Sequence, residues 1–250
     1  MNPNICITVP IKTKQFDKIS TSIKKALNEK PEFIELRFDY INKIEDLTSE
    51  LINNLKKIYH PATCSIFTFR NYSEGGNIQI SENKRFSIIE SLLNAKPNYI
   101  DVELQSNFKQ LNQILSNAKK NDVKIIASYH DLEKTPSYKD ALDLIETLKM
   151  EFINNCLSNL ENIEEIIYKF VFTVQNFEDN LIPLKICNYF REKNQKVISF
   201  CMGELGIFSR VLCPLMGSFL TYVSLNEKVA SGQINIQTIK EIYDLLINNQ

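Results

Sequence analysis

The chain reads as a (β/α)8 barrel closed by parallel strands, and three observations lead there. Strand-length apolar or β-branched runs recur eight times, amphipathic stretches of helical spacing lie between them, and 250 residues is about the length that eight such units need. The strand runs are Ile5 to Val9, Phe33 to Phe38, Thr63 to Phe69, Tyr99 to Leu104, Val123 to Tyr129, Ile166 to Val174, Val197 to Met202 and Leu212 to Leu220. Between them, helical spacing predicts Phe16 to Leu27, Leu47 to Tyr59, Arg85 to Leu93, Phe108 to Ala118, Ala141 to Leu157 and Asn180 to Phe190, with a last helix from Ile236 to Ile247. A doubly wound open sheet is the alternative. It is weakened by the absence of a G-x-G-x-x-G or G-x-x-x-x-G-K turn in a chain holding only six glycines.

No low-complexity tract or linker interrupts the pattern, so residues 1–250 are expected to form a single catalytic barrel domain. The polar, Asn-rich stretch Glu151 to Asn162 lengthens one helix-to-strand connection and reads as a longer helix with a surface loop. A net charge of −1, with lysines and arginines scattered among acids, gives no electrostatic case for nucleic acid. Nothing approaches the ~20 apolar residues of a membrane span, and no secretory leader is evident, so the chain is expected to be cytoplasmic.

Six cysteines without a C-x-x-C pair read as core thiols of a reducing compartment. Of the two histidines, neither has a His or Cys at ligand spacing, which argues against a metal centre. His60, just before Pro61, reads as a helix-capping or surface residue.

The lone cation in Ile166-Ile167-Tyr168-Lys169-Phe170-Val171-Phe172 is the strongest functional signal. Apolar surroundings disfavour a charged ammonium and favour the nucleophilic amine, which is how a Schiff-base lysine is made. A lysine whose stem covers the sheet while its head reaches the rim is the plain alternative. In a barrel, chemistry sits at the carboxyl ends of the strands, and those ends are polar here. Glu35 and Arg37, two apart, share one face of the second strand. The third ends in Arg70 and runs on to Glu74-Gly75-Gly76, the fifth in His130-Asp131, the seventh leads through Met202-Gly203 to Ser209-Arg210, and Ala230-Ser231-Gly232-Gln233 follows the eighth. A structural reading as rim residues explains any one of these but not their joint spacing.

These residues resemble the type I 3-dehydroquinate dehydratases, the Schiff-base dehydratases of the shikimate pathway. The likeness runs along nearly the whole chain: Glu35-Leu36-Arg37, Phe67-Thr68-Phe69-Arg70 with Glu74-Gly75-Gly76, Ser128-Tyr129-His130-Asp131 with Thr135-Pro136, Lys169 with Asp179, Met202-Gly203 to Ser209-Arg210, Gly217-Ser218 to Thr221-Tyr222, and Gly232-Gln233. The resemblance implies that Lys169 condenses with the ketone of 3-dehydroquinate, that His130 shuttles protons, and that Glu74 holds and polarises His130. It implies that Arg210 clamps the substrate carboxylate, that Glu35, Arg37 and Arg70 orient hydroxyls, and that Gln233 reaches over the ring from a lid. Met202 and Tyr222 would supply apolar walls. No cofactor is implied, and a homodimer is.

Two positions depart from the family pattern. Val229 stands where many members have the lid serine, leaving Ser231 to replace that hydroxyl or the contact to be absent, and Thr8 stands where a serine is common. Other Schiff-base barrels, such as class I aldolases and transaldolases, also use a lysine on the sixth strand. They need a phosphate site near strands seven and eight, where no Gly-rich turn occurs. A binding or regulatory barrel that kept the pocket is a third possibility.

Overall fold

The computed structural model describes residues 3–55, 58, 62–156, 166–225, 227 and 229–247. Eight parallel strands alternate with helices: β1 Ile5–Pro10, α1 Phe16–Asn28, β2 Phe33–Arg37, α2 Ser49–Leu55, β3 Cys64–Thr68, α3 Glu82–Leu93, β4 Tyr99–Glu103 and α4 Phe108–Lys120 make the first half. β5 Lys124–His130, α5 Tyr138–Cys156, β6 Ile167–Thr173, α6 Leu181–Glu192, β7 Val197–Met202, α7 Ile207–Leu212, β8 Thr221–Ser224 and α8 Ile236–Ile247 make the second. The sheet runs β7-β6-β5-β4-β3-β2-β1-β8, and a parallel bridge from Val197 to Ser218 joins its two edges, so the barrel is nearly closed. His60 and residues 157–162 of the expected connection lie outside the described residues, while Glu151 to Cys156 continue α5.

Alternation along each strand decides what faces the barrel interior. On β6 the odd positions Ile167, Lys169, Val171 and Thr173 point inward. The even aromatics turn towards the helices, and the Phe170 ring lies 6.4 Å from that of Phe190 on α6. The helices follow the same logic. α1 buries Ile19, Ile23 and Ala26 at helical spacing, and α4 starts where the Asn107 side chain accepts from the backbone N–H groups of Lys109 and Gln110. At the amino end of the barrel the rings of Phe33, Tyr99 and Phe219 pack with centroids 5.3–6.2 Å apart and fill the interior.

One expected strand is misplaced. The run Leu212 to Leu220 ends α7, makes a short 3₁₀ turn over Cys213–Met216, and leaves it at Gly217, whose φ of 109° is left-handed; β8 begins only at Thr221. Pro214 supplies the physical reason, because it cannot donate to a strand ladder but fits the start of a helical turn. Hydrophobicity alone does not separate a buried turn of helix from a strand.

Candidate active site

The carboxyl ends of the strands surround a cavity of about 420 Å³. Its walls include Glu35, Arg37, Arg70, Glu74, His130, Lys169, Met202, Arg210, Tyr222, Ser231 and Gln233. Of the expected site residues only Thr8 is absent from the walls. It sits behind them, donating to Glu35 Oε2 at 3.1 Å and approached by Gln233 Nε2 at 3.4 Å.

Lys169 is buried on β6, yet it is not an amine in apolar surroundings. Its Nζ donates to Asp101 Oδ2 at 3.0 Å and lies 4.5 Å from the centre of the Tyr222 ring. The aromatics of the segment face outward, while Lys169 on the inward face meets an acid of β4 across the barrel interior. There Tyr99, Asp101 and Glu103 point into the barrel, and both acids are buried. Burial alone would raise the Asp101 carboxyl, but Arg70, Lys169 and the Ser128 hydroxyl outweigh it and hold Asp101 at about 2.

Asp101 opens a run of buried ion pairs. Arg70 donates from Nη2 to Asp101 at 2.8 Å and from Nη1 to Glu103 at 2.8 Å and to Ser128 at 2.7 Å. Glu103 Oε2 accepts in turn from Arg85 Nη1 on α3 at 2.6 Å, and Arg85 Nη2 reaches Glu82 at 2.9 Å. Neither Asp101 nor Glu103 was singled out from the sequence, although the signal was available. Two acids two residues apart on a strand share a face, the same rule that marked Glu35 and Arg37.

His130 and Glu74 form a pair. Glu74 Oε2 accepts from the His130 backbone N–H at 2.9 Å and lies 3.0 Å from its Nδ1. An oxygen that already accepts the backbone proton is best matched by a protonated Nδ1, which leaves the Nε2 lone pair free to act as a base. Burial, and the cations Arg70, Lys169, Arg37 and Arg210 after it, push His130 well below the usual imidazole range. Burial and the neighbouring Glu103 raise Glu74 to about 8. Both directions disfavour charge on the pair, which leaves the imidazole uncharged at rest. Two glycines make the loop that carries Glu74. Gly75 has a φ of 87°, and a Cβ on Gly76 would stand 2.2 Å from the Arg70 carbonyl oxygen.

Arg210 on α7 is the counterpoint to Arg70. It is 2% exposed, its guanidinium lies 4.3 Å from the centre of the Phe200 ring, and its Nε has no hydrogen-bond partner among the described residues. Its Nη2 donates to the Ser231 carbonyl, at 3.3 Å. Burial lowers it to about 10. No acid among the described residues pairs with this guanidinium, an arrangement chemically suited to an anion. Arg37, by contrast, is held by both oxygens of Asp39, at 2.9 and 2.8 Å.

The segment after β8 lies over this mouth. Tyr40 Oη donates to the Val229 carbonyl at 2.6 Å, Gln233 Oε1 accepts from the Val229 N–H at 2.8 Å, and a Cβ on Gly232 would stand 2.1 Å from the Gly203 carbonyl oxygen. Ser231 turns its hydroxyl towards Glu204, at 3.4 Å, and its carbonyl towards Arg210.

The mouth of this parallel barrel thus joins a buried amine, an imidazole–carboxylate pair and a buried guanidinium with no acid partner among the described residues, which is the constellation of a barrel enzyme with its site at the carboxyl ends of the strands. The type I 3-dehydroquinase family model matches residues 5–250. The 3-dehydroquinate dehydratase of Methanococcus maripaludis is 32% identical over 96% of this chain and 99% of its own length, and that of Thermococcus onnurineus 27% over 90% and 92%. The solved type I 3-dehydroquinate dehydratase of Clostridium difficile superposes with a TM-score of 0.82 at 25% identity, over 99% of this chain and 94% of that one. The chain therefore belongs to the type I 3-dehydroquinase family, hydro-lyases of the shikimate pathway for which a Schiff-base mechanism is characteristic.

Proposed function

We propose that Lys169 forms the Schiff base, that His130 moves the protons, and that Glu74 holds His130 for that work as the chain converts 3-dehydroquinate to 3-dehydroshikimate. The observation that carries this reading is the joint presence on one cavity of the Lys169 amine, the His130–Glu74 pair and the unpaired Arg210. The amine adds to the C3 ketone, water leaves, and the resulting iminium withdraws electrons so that the adjacent C2 proton becomes acidic. His130, uncharged and with Nε2 free, takes that proton and returns one to the departing C1 hydroxyl. Hydrolysis of the iminium then frees product and amine.

Arg210 takes the substrate carboxylate, for which its planar fork of donors is suited. Glu35, Arg37 and Arg70 line the hydroxyl side, with Thr8 steadying Glu35 from behind, and Gln233 closes over the ring. Met202 and the Tyr222 ring exclude water from the imine. The hydroxyl expected of Ser231 faces away towards Glu204, so its carbonyl is the more accessible contact. The Clostridium difficile relative was solved with covalent modified comenic acid, which supports covalent chemistry in the family.

The chain works as a single barrel domain in the cytoplasm and as a homodimer. Phe177, Leu181, Leu205 and Phe208 leave an exposed apolar patch, with Phe177 and Phe208 edge-to-face at 4.5 Å, and this supports self-association. Sedimentation should give twice the monomer mass, and Leu205→Lys should shift it towards the monomer. No helix of the described residues is long and apolar enough to cross a membrane. The decisive test is borohydride reduction with 3-dehydroquinate followed by peptide mapping. A mass increment on Lys169 is expected, and an increment on any other lysine would sink the assignment.

A further inference from the structure

We infer that Asp101 is the counter-ion of the Schiff base, holding positive charge on Lys169 Nζ through both the ammonium and the iminium stages. This rests on the reading that Lys169 forms the imine. Asp101 is fully buried, and its Oδ2 is the carboxylate oxygen within hydrogen-bond reach of Nζ, at 3.0 Å, among the described residues. Its remaining valences are filled, since Oδ2 also accepts from Arg70 and Oδ1 from the Ser128 hydroxyl at 2.6 Å. A carboxylate fixed at three points cannot swing away when the amine reacts, so its field stays on the nitrogen throughout.

Charge balance gives the same answer. Lys169, Asp101, Arg70, Glu103, Arg85 and Glu82 alternate in sign along one chain of contacts. Condensation of an ammonium with a ketone forms C=N, breaks C=O and releases water carrying two of the three ammonium protons. The nitrogen keeps one proton and its single positive charge. The alternation is therefore intact before and after imine formation, and a neutral imine would leave the buried chain one charge short. An iminium that cannot lose its proton is a better electron sink for abstraction at C2. The same field disfavours the free amine that must first attack the ketone.

The groups facing Lys169 from the other elements do not substitute for Asp101. Arg70, just after β3, is a cation already paired, and His130 on β5 is uncharged at rest. Cys6 on β1 and Tyr222 on β8 are buried and held in their neutral forms, and Glu35 on β2 acts on both of them. Glu35 is occupied by the hydroxyls of Thr8 and Thr68, at 3.1 and 2.9 Å.

The test is the pH profile of Asp101→Asn beside the wild type. Without the counter-ion, the acid limb of kcat/KM, where the amine must lose a proton to attack, and the alkaline limb of kcat, where the iminium must keep one, should both move to lower pH. The expected movement is roughly one to three pH units, the usual effect of an opposite charge at this range, with kcat down about a hundredfold. Asp101→Glu should restore the limbs in part. Lower activity with both limbs in place would mean a purely structural role and would overturn the proposal. Should Asp101→Asn fail to fold, the wild-type adduct with ε-¹⁵N-labelled lysine decides. A nitrogen resonance that stays at its protonated position from pH 6 to 9 supports the counter-ion, and a shift to the neutral imine within that range refutes it. Borohydride trapping on wild-type Lys169 separates the two failures, because absence of that adduct removes the imine reading itself.

Discussion

Arg70 and Arg210 stand on opposite walls of one cavity, both buried, and differ in everything that surrounds the guanidinium. Arg70 is saturated by Asp101, Glu103 and Ser128, whereas Arg210 has an aromatic face, one long contact to a carbonyl and an Nε with no partner. The first guanidinium is paired with acids on both sides, and the second has no acid partner among the described residues. A buried cation left unpaired is costly unless binding recovers it, so on the reading proposed above the contrast would separate a wall that holds the chemistry in place from a wall that captures the substrate.

The largest effect expected from breaking this contrast lies in the relay between the walls. His130→Ala should lower kcat by about two to four orders of magnitude while borohydride still marks Lys169, read by steady-state kinetics and mass spectrometry together. Neutralising the saturated wall with Arg70→Met leaves Asp101 and Glu103 without a shared partner. The loss should be roughly 3–5 kcal/mol of folding stability in a urea titration. The same change on the open wall should act in the reverse sense. Arg210→Met removes an unpaired buried charge, so the ligand-free protein should melt at a higher temperature, while KM rises about a hundredfold from loss of some 2–3 kcal/mol of charge-assisted bonding. If Arg210→Met melts lower and binds normally, the distinction between the walls collapses.

The pH dependence sharpens the comparison further. The cations on both walls, added to burial, lower His130, so its basic form persists below the usual imidazole value. The acid limb of kcat, which reports this base once the imine has formed, should therefore fall below pH 6.5 in the wild type and move up towards 6.5 in Arg210→Met, which removes one of those cations. Smallest of all, Thr8→Val should cost about 1 kcal/mol of stability with a modest change in KM, because it removes the hydroxyl that steadies Glu35 from behind the cavity wall.

The alternation of strands and helices, and with it the barrel, was legible from periodicity, and so were the polar strand ends. What escaped was whatever periodicity does not encode. The eighth strand was displaced because Leu212 to Leu220 is apolar enough for a strand, while Pro214 and Gly217 make it a turn of helix. Lys169 was read as a lone cation because its partner lies 68 residues away on β4, and a single sequence does not display such pairings. The Asp101 and Glu103 pair was within reach of the two-residue rule, since acids two apart on a strand share one face. That Arg210 is unpaired while Arg70 is saturated has no sequence signature, since both end polar strand-to-loop segments and only the packing tells them apart.

The packed rings of Phe33, Tyr99 and Phe219 make the barrel a flask with a stopper fused into its base. With that end filled, the cyclic acid and each water released or consumed at the imine pass through the mouth at the carboxyl ends of the strands, beneath residues 229–233. Arrival and departure must therefore take turns. The water that hydrolyses the iminium either stays inside from the condensation that released it or comes in past a product still bound.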